Sequence, residues 1–164
     1  PVRRIRIEPG DPACPRVETM QVTQNLLARS FRFHKHLRGK SGRLDVRYPD
    51  GSEELLIEVP DYDFNWQNTY ELKRPVLLPA GSEITLTAVW DNSAQNPRNP
   101  DPTARIRTGV TTKDEMGSAS IFVSSHEPTD AKLFLTNGRP AEPPQYVSGD
   151  ASAEPSRESE ISQI

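Results

Sequence analysis

One cysteine, Cys14, stands among 164 residues. A lone thiol forms no internal disulfide and leaves the redox compartment open. Apolar residues are also scarce, at 34%, below the usual globular share. No run approaches the ~18 apolar residues of a membrane span. No secretory leader is visible, but the chain opens on Pro1, which leaves room for a missing upstream segment, so the absent leader does not argue for the cytosol. A net charge of -3 is too small to argue for nucleic acid or an anionic membrane as partner. No glycine-rich loop precedes a helix to cradle phosphate, and neither "GSEE" nor "SSHEP" offers the spacing of a nucleophilic triad. There is no internal repeat and no convincing long helix.

What is abundant is proline, sixteen residues, about twice the ordinary share. Together with the low apolar content, this divides the chain into a globular part and a polar tail. From His126 onward there are seven acidic and three basic residues, so the remainder is close to neutral. Residues 125–164 are rich in Pro, Ser and Glu with few aromatics. They read as a disordered tail with one short strand over Lys132–Leu135.

Residues 1–124 read as one all-β domain. "VRRIRI" predicts a short strand, broken by Pro9-Gly10 and Pro12 into a loop. Gln24–Arg29 reads as a short helical stretch. From Ala28 to His36 the period is two: Ala28, Ser30, Arg32, His34 and His36 share one face, and Arg29, Phe31, Phe33 and Lys35 the other. This strand is expected to end near Gly39. "RLDVRYPDGSEELLIEV" predicts a β-hairpin, because Pro49 presets a turn and Gly51 accepts a positive φ. Tyr62, Phe64, Trp66 and Tyr70 fall on one side of an extended segment and read as core. After a turn at Pro79–Gly81, Ile84, Leu86, Ala88 and Trp90 alternate inward. "NPRNPDPT" is a stiff loop, and "GSASIFVSS" is a last strand. Six or seven short strands with regular turn signals predict an antiparallel jelly-roll β-sandwich.

The stretch that bears on function is "FRFHKHLRGK", residues 31–40, which holds two of the three histidines. On a strand, positions i and i+2 share a face roughly 6.5–7 Å apart, so His34 and His36 can reach one metal ion. A stable site needs a third ligand, and His126, Cys14, Met20, Met116 and the carboxylates all remain candidates. Arg32 on the same face repels a bare cation, unless a substrate anion lies beside the metal.

The runs "HKHLRGK", "YPDG", "VPDYDFNWQNTYEL", "LPAGSEI", "WDNSAQNPRNPDPT" and "KDEMGSASIFV", in this order, resemble the C-terminal half of the copper type II, ascorbate-dependent monooxygenases. Peptidylglycine α-hydroxylating monooxygenase and dopamine β-hydroxylase belong to this family, and the bacterial multidomain members are the nearest in character. The resemblance covers Arg32–Val123 and, more weakly, residues 2–31. It implies a jelly-roll fold and one oxygen-activating copper, held by His-x-His and a distant Met. On this chain those positions are His34, His36 and Met116. Imidazole suits copper, and a thioether favours Cu(I). The implied reaction is hydroxylation of a C–H bond of a small molecule or peptide, using O2 and ascorbate or another reductant, in the periplasm or outside the cell.

In the peptidylglycine enzymes an Arg two residues before the first His and a Tyr four after the Met hold the substrate carboxylate. Arg32 matches the first position, and Ser120 stands at the second. Bacterial relatives usually read "HMHLRGK", and here Lys35 replaces the central Met. The family's electron-delivering copper uses three further histidines on a preceding domain. This chain has only His126 to spare, so that copper or another electron-transfer group is expected on an upstream domain or a partner. The competing expectations are a copper-binding module without turnover and a metal-free domain that uses Tyr62, Phe64 and Trp66 for packing or partner binding.

Overall fold

The computed structural model describes residues 1–2 and 4–125, and the backbone of residues 135–136, 139–140 and 161–162. The strands are β1 (Arg6–Ile7), β2 (Cys14–Gln21), β3 (Leu26–Lys35), β4 (Gly39–Arg47), β5 (Glu53–Val59), β6 (Tyr70–Leu78), β7 (Glu83–Trp90), β8 (Ile106–Arg107), β9 (Gly117–Ser125), β10 (Leu135–Thr136), β11 (Arg139–Pro140) and β12 (Ile161–Ser162). Beyond Ser125 and these short segments, the expected tail lies outside the described residues, as do His126 and Lys132–Phe134 of its expected strand.

One sheet has the order β2-β7-β4-β5 and another β12-β6-β3-β9, while β1-β8 and β10-β11 form separate two-stranded pairs. Every strand pair is antiparallel. The all-β expectation thus stands as an antiparallel β structure, but the jelly-roll sandwich is corrected: the sheets are not closed on one another as that fold requires. The chain between β7 and β9 shows a physical reason. Pro97, Pro100 and Pro102 remove backbone donors there, so residues 91–105 fold as successive turns. Only the two-residue β8 follows, and it pairs with β1 rather than extending a large sheet.

The strand patterns explain the core. In β7, Ile84, Leu86, Ala88 and Trp90 are buried in strict alternation, as their period-two spacing predicts. The hairpin is β4–β5, with Gly51 at φ 85°. These residues join Phe31, Phe33, Val76 and Leu78 of the other sheet in a single apolar cluster. Contact between the sheets is close where a side chain is missing: a Cβ on Gly42 of β4 would lie 2.7 Å from the Phe33 ring.

Three local expectations fail. Gln24–Arg29 is not helical, because Leu26 onward already pairs with β6 and β9. Residues 14–21, where no strand was expected, form β2; its buried position is Cys14, while Val17 and Met20 are exposed, so no apolar alternation marks it. Finally, Trp66 is 60% exposed. Residues 60–69 are a loop rather than an extended segment, so the four aromatics do not share one side.

Candidate metal centre at the β3–β4 corner

β3 sets the site. A register irregularity between Ala28 and Ser30 carries Ala28 to the buried side with Phe31, Phe33 and Lys35, while Arg32 and His34 face outward. The sheet strand ends at Lys35, and residues 36–38 turn the chain from one sheet into the other, closed by the Gly39 amide on the His36 carbonyl at 3.1 Å. Because β6 has not yet begun beside this end of β3, the Tyr62 hydroxyl takes its place. It accepts from the Lys35 amide at 2.9 Å and donates to the Lys35 carbonyl at 2.7 Å. Burial pushes the Tyr62 phenol up to about 12, so it stays a donor at neutral pH.

The two imidazoles stand edge to face, with centroids 5.3 Å apart and planes at 80°. Phe64 meets the His36 ring edge-on at 6.1 Å. Hydrogen bonds define which nitrogens are free. The Gln67 amide donates to the Phe64 carbonyl at 2.8 Å, which leaves its oxygen to accept from His34 Nδ1–H at 2.6 Å. A backbone carbonyl only accepts, so His36 Nδ1–H donates to Asp114 O at 3.1 Å. In the neutral form each ring therefore carries its lone pair on Nε2, the arrangement in which a second hydrogen bond orients a metal-ligating imidazole.

Met116 immediately precedes β9. The ladder pairs His34 with Ser118 and Lys35 with Gly117, and it ends there, so Met116 and His36 are the first residues beyond it on either strand. The residue Met116 is 36% exposed. Two other third-ligand candidates, Cys14 and Met20, lie elsewhere. Cys14 is buried, its Sγ 3.6 Å from Arg6 O, and burial pushes its thiol up. Met20 pairs with Ile84 in the other sheet, beside a cavity of about 440 Å³ lined also by Leu44, Ile84 and Ile121. Among the described residues no three His, Cys, Asp or Glu side chains converge to hold a metal. A site on the histidine pair would therefore need a ligand of another type, and Met116 has a soft thioether donor. Arg32 is exposed directly opposite Ser120.

Several groups that shape this corner were not evident in the sequence. Glu115 is fully buried and accepts from the His36 amide (2.9 Å), the Arg38 amide (2.7 Å) and the Trp90 indole (3.0 Å). Burial pushes its carboxyl up, against the pull of those donors. The Arg38 guanidinium, also buried, donates to Asn92 Oδ1 at 2.8 Å and Lys113 O at 2.9 Å. Lys35 is enclosed behind the histidines, its Nζ without a hydrogen-bond partner among the described residues. The Nζ lies 4.7 Å from the Tyr62 ring centroid and 5.2 Å from that of Phe33. Burial pushes its amine down to about 8, partly offset by the field of Glu115.

No family model and no curated protein matches the chain. The family resemblance therefore rests on the motifs between residues 32 and 123.

Proposed function

We propose that this chain is the copper-binding, C-terminal half of an ascorbate-dependent monooxygenase, with His34, His36 and Met116 as the ligands of its oxygen-activating copper. The observation that carries the reading is the pair of imidazoles whose Nδ1–H groups are both engaged, leaving two Nε2 lone pairs on neighbouring rings. Two imidazoles and a thioether form a donor set suited to Cu(I). When bound, copper supplies one-electron redox chemistry and O2 activation toward a C–H bond.

The chain's own residues have simpler tasks. Gln67 and the Asp114 carbonyl fix the tautomer and aim of the two rings. Tyr62 and Glu115 hold the strand end that carries them. Phe64 covers one side of His36 and limits water there. Arg32, outside the pair and across from Ser120, is positioned to attract an anionic group of a small-molecule or peptide substrate. The second copper, or another electron carrier, belongs to a different domain or partner, and the setting is periplasmic or extracellular.

One observation favours the second reading, a module without turnover or without metal: the pair lacks any third His, Cys, Asp or Glu ligand among the described residues. Cu(I) titration of the parent, His34→Ala, His36→Ala and Met116→Ala proteins tests the proposal. It predicts one tight Cu(I) per parent chain and a large loss of affinity in each variant. Equal affinity in all four proteins refutes it.

A further inference from the structure

We infer that Glu115 is a positioning residue that fixes Met116 against the histidine pair; the inference rests on the copper reading above. The turn at residues 36–38 leaves the His36 and Arg38 amides without a strand partner, and both point at one carboxylate. Glu115 Oε2 takes the His36 amide and the Trp90 indole, and Oε1 takes the Arg38 amide. Its backbone is pinned as well: the Glu115 amide donates to Arg107 O at 3.0 Å, and its carbonyl accepts from Gly109 at 3.1 Å. Met116 is the next residue. A single side chain thus ties the backbone of one candidate ligand, His36, to the residue beside another, across 79 positions of sequence.

The chemistry demands a carboxylate. Three donors converge on two acceptor oxygens, and a buried acceptor group must meet its donors or lose stability. Glutamine offers one oxygen and turns an NH2 group toward a donor. The Glu115→Gln change therefore breaks one side of the bracket while keeping shape and volume. A purely structural carboxylate would lower stability when changed, with no particular effect on the thioether. A positioning carboxylate acts through Met116, so its loss and the loss of Met116 are not additive.

The test uses the full chain with Cu(I), measured by chelator competition and X-ray absorption, in the parent, Glu115→Gln, Met116→Ala and the double variant. Affinity is expected to fall by about tenfold to a hundredfold in Glu115→Gln, the range for groups that orient ligands. Copper–sulfur scattering is expected to be lost, and the loss of affinity in the double variant should be smaller than the sum of the two single losses. Retained copper–sulfur scattering in Glu115→Gln, or fully additive losses, would overturn the inference. Should Glu115→Gln fail to fold, Trp90→Phe removes one of the three donors and is expected to weaken both affinity and sulfur scattering; parent-like values would overturn the inference. A parent chain that binds no Cu(I) sinks the copper reading, and Glu115 is then judged on the metal-free protein. There, a Met116 methyl group that becomes more mobile by NMR relaxation in Glu115→Gln supports the positioning role, and an unchanged one overturns it.

Discussion

Replacing Lys35 with methionine should stabilise this protein, and the gain should depend on pH. Lys35 is 1% exposed and, among the described residues, two aromatic faces and the field of Glu115 compensate its charge. In the unfolded chain its amine titrates near 10.5, and in the folded protein at about 8. That difference corresponds to a penalty of about 3 kcal/mol for holding the charge in the core. Below pH 8 the amine is protonated in both states and the penalty is present in full. Between pH 8 and 10.5 the unfolded chain binds more protons than the folded one, so stability rises with pH until the penalty is gone. Methionine has similar length and packs well on aromatic rings, so it keeps the contacts with Phe33 and Tyr62 and removes the charge. Lys35→Met is therefore expected to gain about 2–3 kcal/mol at pH 7, shrinking toward zero by pH 10.5. Urea denaturation of both proteins at pH 6, 7, 9 and 10 measures the difference, from which other titrating groups cancel to first order. A variant less stable than the parent at pH 7, or a gain that does not change with pH, would refute the reasoning.

Two further predictions concern packing and ligand orientation. Gly42→Ala places a methyl group against the Phe33 ring and should cost about 1–3 kcal/mol, read as a lowered denaturant midpoint with an unchanged slope; a neutral result would mean that the sheets separate easily at this point. Gln67→Ala frees His34 Nδ1 and should weaken Cu(I) binding by about tenfold or more while leaving the melting temperature nearly unchanged, which competition titration and calorimetry together would check.

The parts of the fold that the sequence made legible are those where burial follows backbone period. β7 and the β4–β5 hairpin show this, since both have apolar residues alternating between turn residues. β2 was illegible because it is an edge strand: its half-buried positions are Arg16 and Glu18, and its apolar residues Val17 and Met20, on opposite faces, are both exposed. The irregularity at Arg29 moved Ala28 to the buried side, which a strict period-two reading cannot anticipate. Sheet closure is a long-range property that a strand count does not determine, and so the jelly-roll expectation failed while the antiparallel one held. At the site, the outward aim of His34 followed from spacing. The buried trio of Lys35, Arg38 and Glu115 did not, because charged residues in "HKHLRGK" and "KDEM" look like a solvated surface until the chain is folded. Their burial is explained only by what they meet: backbone amides, carbonyls and aromatic faces.

X-ray absorption at the copper edge on the Cu(I)-loaded chain tests the central claim most directly. The account predicts one copper per chain with two nitrogen ligands and one sulfur near ~2.2–2.3 Å, the sulfur disappearing in Met116→Ala and a nitrogen in His34→Ala. No stoichiometric copper, or a spectrum unchanged by both substitutions, would contradict it.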